Sequence, residues 1–266
     1  MTRHHNHMLR YCAISRSGHH AIMRWIGHHF PEPAWHFNNC RTHEKPTSGR
    51  DRLRRHPGGN SPEGTWPPPD ADALTFSFEN ANLRQLNGRG NELSEFIPEF
   101  RVDWGRGRVL DGDVIIMRDP ANNFASCWAR LARPGVDLQN ARDGMKIARV
   151  ERWKQYAKEF LRDTRFIQDP ICVSFNHWFA SESYRRVLSR TFGLEFTDAG
   201  LQVVAYDGAA STFDRMDYDG RAQEMPVMDR WRGFVDDPWF RSLFDQDLWD
   251  LAGRIWDSPP GMEEMG

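Results

Sequence analysis

No stretch of this sequence approaches the ~18–20 consecutive apolar residues that a membrane-spanning helix needs, and Met1-Thr2-Arg3-His4-His5 carries no apolar secretory core. Cysteine is scarce: Cys12, Cys40, Cys127 and Cys172 form no CxxC pair, which gives no ground for a disulfide framework or a zinc ribbon. The chain has eleven histidines but no HExxH. Adjacent pairs such as His19-His20 and His28-His29 point to different sides of a helix, so no metal site is expected. GxxxxGK[ST] is absent, which counts against ATP or GTP hydrolysis. With a net charge of -2, the chain lacks the basic excess of a general nucleic-acid coat. The expectation is a soluble, cytoplasmic protein with reduced thiols, no membrane span and no nucleic-acid partner.

What is present is enough chain, 266 residues with 39% hydrophobic, for a single α/β domain over 1–266. Residues 8–14, 74–78, 114–117 and 171–175 read as strands, the short apolar runs suiting a central parallel sheet. Helical patterns cover 19–29, 121–132, 141–162, the stretch through Tyr184 and Leu188 up to Gly193, and the aromatic tail 238–256. Residues 31–72, rich in Pro, Gly, Arg and His, read as an irregular insert. Alternation of strands and helices favours a three-layer sandwich, a central parallel β-sheet flanked by helices.

Two segments about a hundred residues apart carry chemistry. Arg10 to Ile14 is a strand that breaks at Arg16-Ser17-Gly18 and resumes as a helix at His19 and His20. A helix start presents free N–H groups and partial positive charge, and Gly18 permits close approach of an anion. The second is Val114 to Met117, then Arg118-Asp119-Pro120, with Pro120 preset for the first helical turn and Ser126 on that helix. Arg118 and Ser126 can converge on one phosphate. Two such units suggest a ligand with two separate anionic groups.

Together they resemble the sulfotransferases that use 3′-phosphoadenosine 5′-phosphosulfate (PAPS). That family has a Lys/Arg-Ser-Gly-Thr-Thr loop after its first strand and an Arg-x-Pro…Ser segment with the Ser eight positions after the Arg. Arg16-Ser17-Gly18 matches the first, and Arg118, Pro120 and Ser126 match the second. Weaker echoes lie in Phe175-Asn176-His177-Trp178-Phe179 and in Arg230-Trp231-Arg232. His19 and His20 stand where better-known members have threonines, which suggests a bacterial-type subfamily.

The resemblance implies a P-loop-like sulfotransferase fold and transfer of a sulfuryl group from PAPS to a hydroxyl acceptor: a saccharide, a lipid-linked sugar or a small metabolite. It implies that Arg16, Ser17, Gly18, His19 and His20 hold the 5′-phosphosulfate, that Arg118 and Ser126 hold the 3′-phosphate, and that Arg230 closes over the nucleotide. A catalytic base is needed, and Glu79 at the end of the 74–78 strand is the first choice, with His43 and then His20 as alternatives. Arg16 stays charged and suits stabilisation of the leaving group. Trp25, Phe124 and Trp128 are candidates to wall the adenine, although each reads better as a core residue. A P-loop-type nucleotide kinase and a non-catalytic nucleotide-binding protein are the rival readings.

Overall fold

The computed structural model describes residues 7–30, 34–40, 53–56, 73–86, 110–132, 135–204 and 211–266. Six strands form one sheet: β1 (His7–Ala13), β2 (Ala34–Phe37), β3 (Leu53–His56), β4 (Ala73–Glu79), β5 (Leu110–Met117) and β6 (Ile171–Ser174). Their order is β3-β2-β4-β1-β5-β6. β2, β4, β1, β5 and β6 run parallel, and β3 pairs antiparallel with β2 at one edge.

β1 is the centre. Its Leu9, Tyr11 and Ala13 face one layer and its Met8 and Cys12 the other, so apolar residues occur on both sides, as a sheet covered on both faces requires. The first layer holds α1 (His19–Gly27), packed through Ile22, Met23, Trp25 and Ile26, with Trp178 of α6 (Phe175–Ala180) and Leu188 of α7 (Glu182–Thr191). The second holds α3 (Pro120–Leu131), α5 (Glu151–Phe160) and α9 (Gln246–Trp256), through Phe124, Trp153, Tyr156 and Leu248. The α/β sandwich read from the sequence is therefore the observed architecture.

One polar pair sits within this core. Arg10 of β1 lies in register with Asp113 of β5, and their side chains form a two-pronged ion pair, with Nη2 to Oδ2 at 2.7 Å. Burial alone would lower the Arg10 guanidinium, but the Asp113 carboxylate outweighs it and raises it. A slip of β1 along β5 would strand two charges in the core, so the pair defends the register.

Several helices start where the sequence supplies acceptors. Asp119 caps α3 by accepting from the Asn122 N–H at 2.8 Å, with Pro120 at the first position. Asp137 caps α4 (Leu138–Gly144), which continues through a π-helical segment, Met145–Val150, into α5. Gly193, at φ 67, ends α7 and lets the Leu194 N–H reach the Ser189 carbonyl at 2.8 Å.

Three sequence expectations need correction. β2 and β3 lie inside the segment read as irregular, because four-residue strands between prolines leave no period to detect. The helical pattern at 141–162 begins earlier, at Leu138. The tail is two helices, α8 (Pro238–Arg241) and α9, separated where Asp245 caps the second. The remaining described α-helices are α2 (Leu83–Leu86) and α10 (Met262–Met265), and short 3-10 helices cover Ala222–Glu224 and Arg230–Phe234. Among the described residues no helix is long and apolar enough to cross a membrane.

The topology selects one place on this sheet. From β1 the chain moves through α1, on one face, to β2; from β5 it moves through α3, on the other face, towards β6. Adjacent strands whose connections leave to opposite faces open a crevice at their carboxyl ends, where open α/β sheets bind ligands. The loops after β1 and β5 both stand there.

Candidate functional site

The turn after β1 is built for close approach. Arg16 and Gly18 both take left-handed backbone, φ 66 and 79, and the Ser17 N–H closes the turn on the Ile14 carbonyl at 3.1 Å. A Cβ on Gly18 would stand 2.2 Å from a ring carbon of Phe175 on α6, so glycine is required by both conformation and space. α1 then begins with no side-chain cap, leaving its positive end towards the cavity. Ser17 is buried, with its Oγ 3.3 Å from Nδ1 of His19. Burial, with the nearby Arg16 charge, pushes the His19 imidazole down to about 3, so it is neutral at physiological pH.

The turn after β5 delivers Arg118, which is 2% exposed. One of its amino groups, Nη1, donates to the Arg16 carbonyl and to Ser126 Oγ, each at 3.3 Å, and Nη2 donates to the Val227 carbonyl. The guanidinium lies 5.0 Å from the Phe175 ring centre. Asn176 holds the turn by accepting from the Asp119 N–H and donating to its carboxylate, at 3.1 and 2.8 Å. Trp153 donates to the Arg118 carbonyl at 3.0 Å.

Arg230 joins from the C-terminal part of the chain. It reaches Ser126 Oγ at 3.5 Å, Ser211 Oγ at 2.9 Å and the Asp214 carboxylate at 2.9 Å. Ser126 thus stands between two guanidiniums and aligns both. Burial, then the charges of Arg230 and Arg16, hold Arg118 down to about 9. Burial and neighbouring arginines also lower Arg16, and burial lowers Arg230. Buried Nε atoms of Arg118 and Arg230 have no hydrogen-bond partner. Charges taken out of water and set against one another are costly unless an anion completes the set.

Glu79 ends β4 beside these loops. Its neighbour Asn80, at φ 57, stitches β4 to the first turn: its N–H donates to the Ala13 carbonyl at 2.8 Å, its side-chain carbonyl accepts from the Ser15 N–H at 3.0 Å, and its amide donates to Ser15 Oγ at 2.7 Å. Asn123 of α3 donates to the Ser15 carbonyl at 3.0 Å.

One cavity of about 560 Å³ connects these groups, lined by Arg16, Gly18, His19, His20, Glu79, Arg118 and Arg230. Ser17 and Ser126 stand behind this lining and hold it. His43 lies outside the described residues. Trp25, Phe124 and Trp128 are core residues, and the cavity's aromatic wall is Phe175, Trp178 and Phe179 instead. The Phe-Asn-His-Trp-Phe run was the available signal for that wall. Arg130, Arg149, Asn38 and Asn39 also line the cavity without having been singled out, since single polar residues at helix ends and strand ends carry no spacing pattern. Among the described residues no group of three His, Cys, Asp or Glu is placed to hold a metal ion. No protein-family model and no curated protein matches this chain.

Proposed function

We propose that this protein is a PAPS-dependent sulfotransferase of P-loop-like architecture, moving a sulfuryl group to a hydroxyl acceptor. The observation that carries the reading is the trio of Arg118, which is buried, with Arg16 and Arg230, which are partly buried, gathered at the carboxyl ends of β1 and β5 with two unpartnered Nε groups. Such a cluster suits a ligand with two anionic groups. In this reading the start of α1, with Arg16, takes the 5′-phosphosulfate, while Arg118 and Arg230, aligned by Ser126, take the 3′-phosphate. Phe175 and Trp178 supply an apolar wall for the base.

In the reaction the acceptor oxygen attacks sulfur, a new S–O bond forms, and the bond from sulfur to the 5′-phosphate oxygen breaks. The acceptor proton passes to the Glu79 carboxylate, and Arg16 meets the charge developing on the departing phosphate. The absent Walker Lys weighs against the kinase reading.

The test is a thermal-shift titration with 3′-phosphoadenosine 5′-phosphate, with adenosine 5′-phosphate and ATP as controls. At a hundredfold excess over Kd, a ligand of the native state adds ~2.7 kcal/mol, roughly 5–10 °C for a chain of this size. The bisphosphate should give that shift and adenosine 5′-phosphate much less. Equal shifts with these two would remove the 3′-phosphate site, and a larger shift with ATP would favour a kinase-like transferase.

A further inference from the structure

α3 does more than supply Ser126. Asn122 and Asn123, then Ser126 and Cys127, then Arg130 recur at three- and four-residue spacing, so they share the side of the helix that faces the β1 and β5 turns. Contacts fix this: Asn123 and Cys127 both reach the Ser15 carbonyl, at 3.0 and 3.5 Å, and Ser126 reaches Arg118. Arg130 is the next step of that stripe, exposed at the mouth of the cavity.

A second arginine arrives at the same end. Arg149 lies half-buried in the π-helical segment Met145–Val150 and lines the cavity. The wide turn redirects its side chain relative to a regular helix, and such segments recur at functional sites. The Cys127 thiol, pushed up to about 11 by burial, feels Arg149, Arg16, Glu79 and Arg118 together. Arg149, Arg130 and Glu79 line the same cavity.

Exposed arginines elsewhere differ: Arg221, Arg232 and Arg254 pair with carboxylates at 3.1, 2.9 and 2.6 Å, whereas Arg190, Arg215 and Arg241 have no ion pair among the described residues but lie outside the cavity. Among the described residues Arg130 and Arg149 have no such pair. Glu79 is the one carboxylate among the described residues lining the cavity, against five arginines. A neutral acceptor would leave two cations of the cavity unanswered.

We infer that Arg130 and Arg149 form a second anion subsite next to Glu79, and that the acceptor is itself anionic, carrying a carboxylate, sulfate or phosphate near the hydroxyl to be modified. This rests on the sulfotransferase reading. Beside the base, the two guanidiniums would hold the acceptor's charge and so fix which hydroxyl meets Glu79.

Inorganic phosphate is the probe, added to protein saturated with 3′-phosphoadenosine 5′-phosphate, at ionic strength held constant with chloride. The loaded wild-type protein should gain further stability with phosphate. In the Arg130→Gln/Arg149→Gln variant the bisphosphate shift should persist while the phosphate Kd rises about tenfold or more, the scale of a lost charge-assisted contact. Absence of a phosphate effect in the wild type, or its survival in the double variant, overturns the subsite. Loss of the bisphosphate shift in the variant also overturns it, by assigning the arginines to the nucleotide. If the wild type fails to bind the bisphosphate, the sulfotransferase reading falls and takes this one with it.

Discussion

At the residue scale, Glu79 and His19 show how differently two titratable groups can serve one cavity. Glu79 ends a strand, lines the cavity and stands beside a turn fixed by Asn80. If it takes the acceptor proton, Glu79→Gln should lower kcat by roughly 10²–10⁴ and leave the bisphosphate thermal shift unchanged. Turnover that survives the change would remove Glu79 from the reaction. His19 has a folded pKa of about 3, set by burial and then by Arg16. Its unfolded pKa is about 6.5. Between these values the unfolded chain binds the extra proton, so stability is full above pH 6.5 and falls as the pH drops towards 3. The slope is at most ~1.4 kcal/mol per pH unit. Urea midpoints from pH 7 to pH 4 should fall more steeply in the wild type than in His19→Asn, and parallel curves would show that the group does not titrate on unfolding. His19 therefore acts as a neutral hydrogen-bonding group, and the base must be found elsewhere.

At the element scale, the site depends on three strand ends held at one height. β1, β4 and β5 each stop at the same edge, and each is followed by a turn with a polar anchor. Asn80 bonds the end of β4 to the turn after β1, and Asn123 bonds α3 to the same turn. Asn80→Ala should cost about 1–3 kcal/mol and lower kcat more than it weakens nucleotide binding, because Glu79 loses its fixed distance from Arg16 while Arg118 keeps its own supports. Steady-state kinetics beside a denaturation curve would separate the two effects, and equal losses in kcat and nucleotide affinity would contradict this division. The elements that matter most were also the legible ones. β1 and β5 are apolar runs that stop at an arginine, and Asp119-Pro120 announces the helix that follows. β2 was not legible: its His36 is buried only because Thr75 and Ser77 of β4 offer hydroxyls at 2.8 and 3.1 Å, a long-range arrangement with no local signature. Arg230 carried only a faint motif, and its place beside Ser126 is set by a contact across 104 positions of sequence. Arg149 depends on a π-turn that a search at 3.6-residue period passes over.

At the scale of the whole molecule, the arrangement implies a protein that is less stable empty than it could be. Arg118 is buried without a carboxylate partner of its own, its neighbour Asp119 being engaged in the cap and with Asn176. After burial, Arg230 is the largest charge acting against it. Arg230 is held there by Asp214 and Ser211, and Asp214 also accepts from the Ser211 hydroxyl at 2.7 Å. Repulsion maintained in the free protein and relieved by a bound anion is the pattern expected where function is kept at the expense of stability. Arg230→Gln should therefore leave the melting temperature of the free protein unchanged or raise it by a few degrees, since relief of about 1 kcal/mol moves a chain of this size by roughly 2–4 °C. The same substitution should cut the shift produced by 3′-phosphoadenosine 5′-phosphate by half or more, because one of the two guanidiniums that Ser126 aligns is gone. Calorimetry with and without the bisphosphate measures both. A free protein that melts much lower, with its ligand-induced shift intact, would mean that Arg230 is a structural ion-pair partner and that Arg118 needs no second cation to hold an anion.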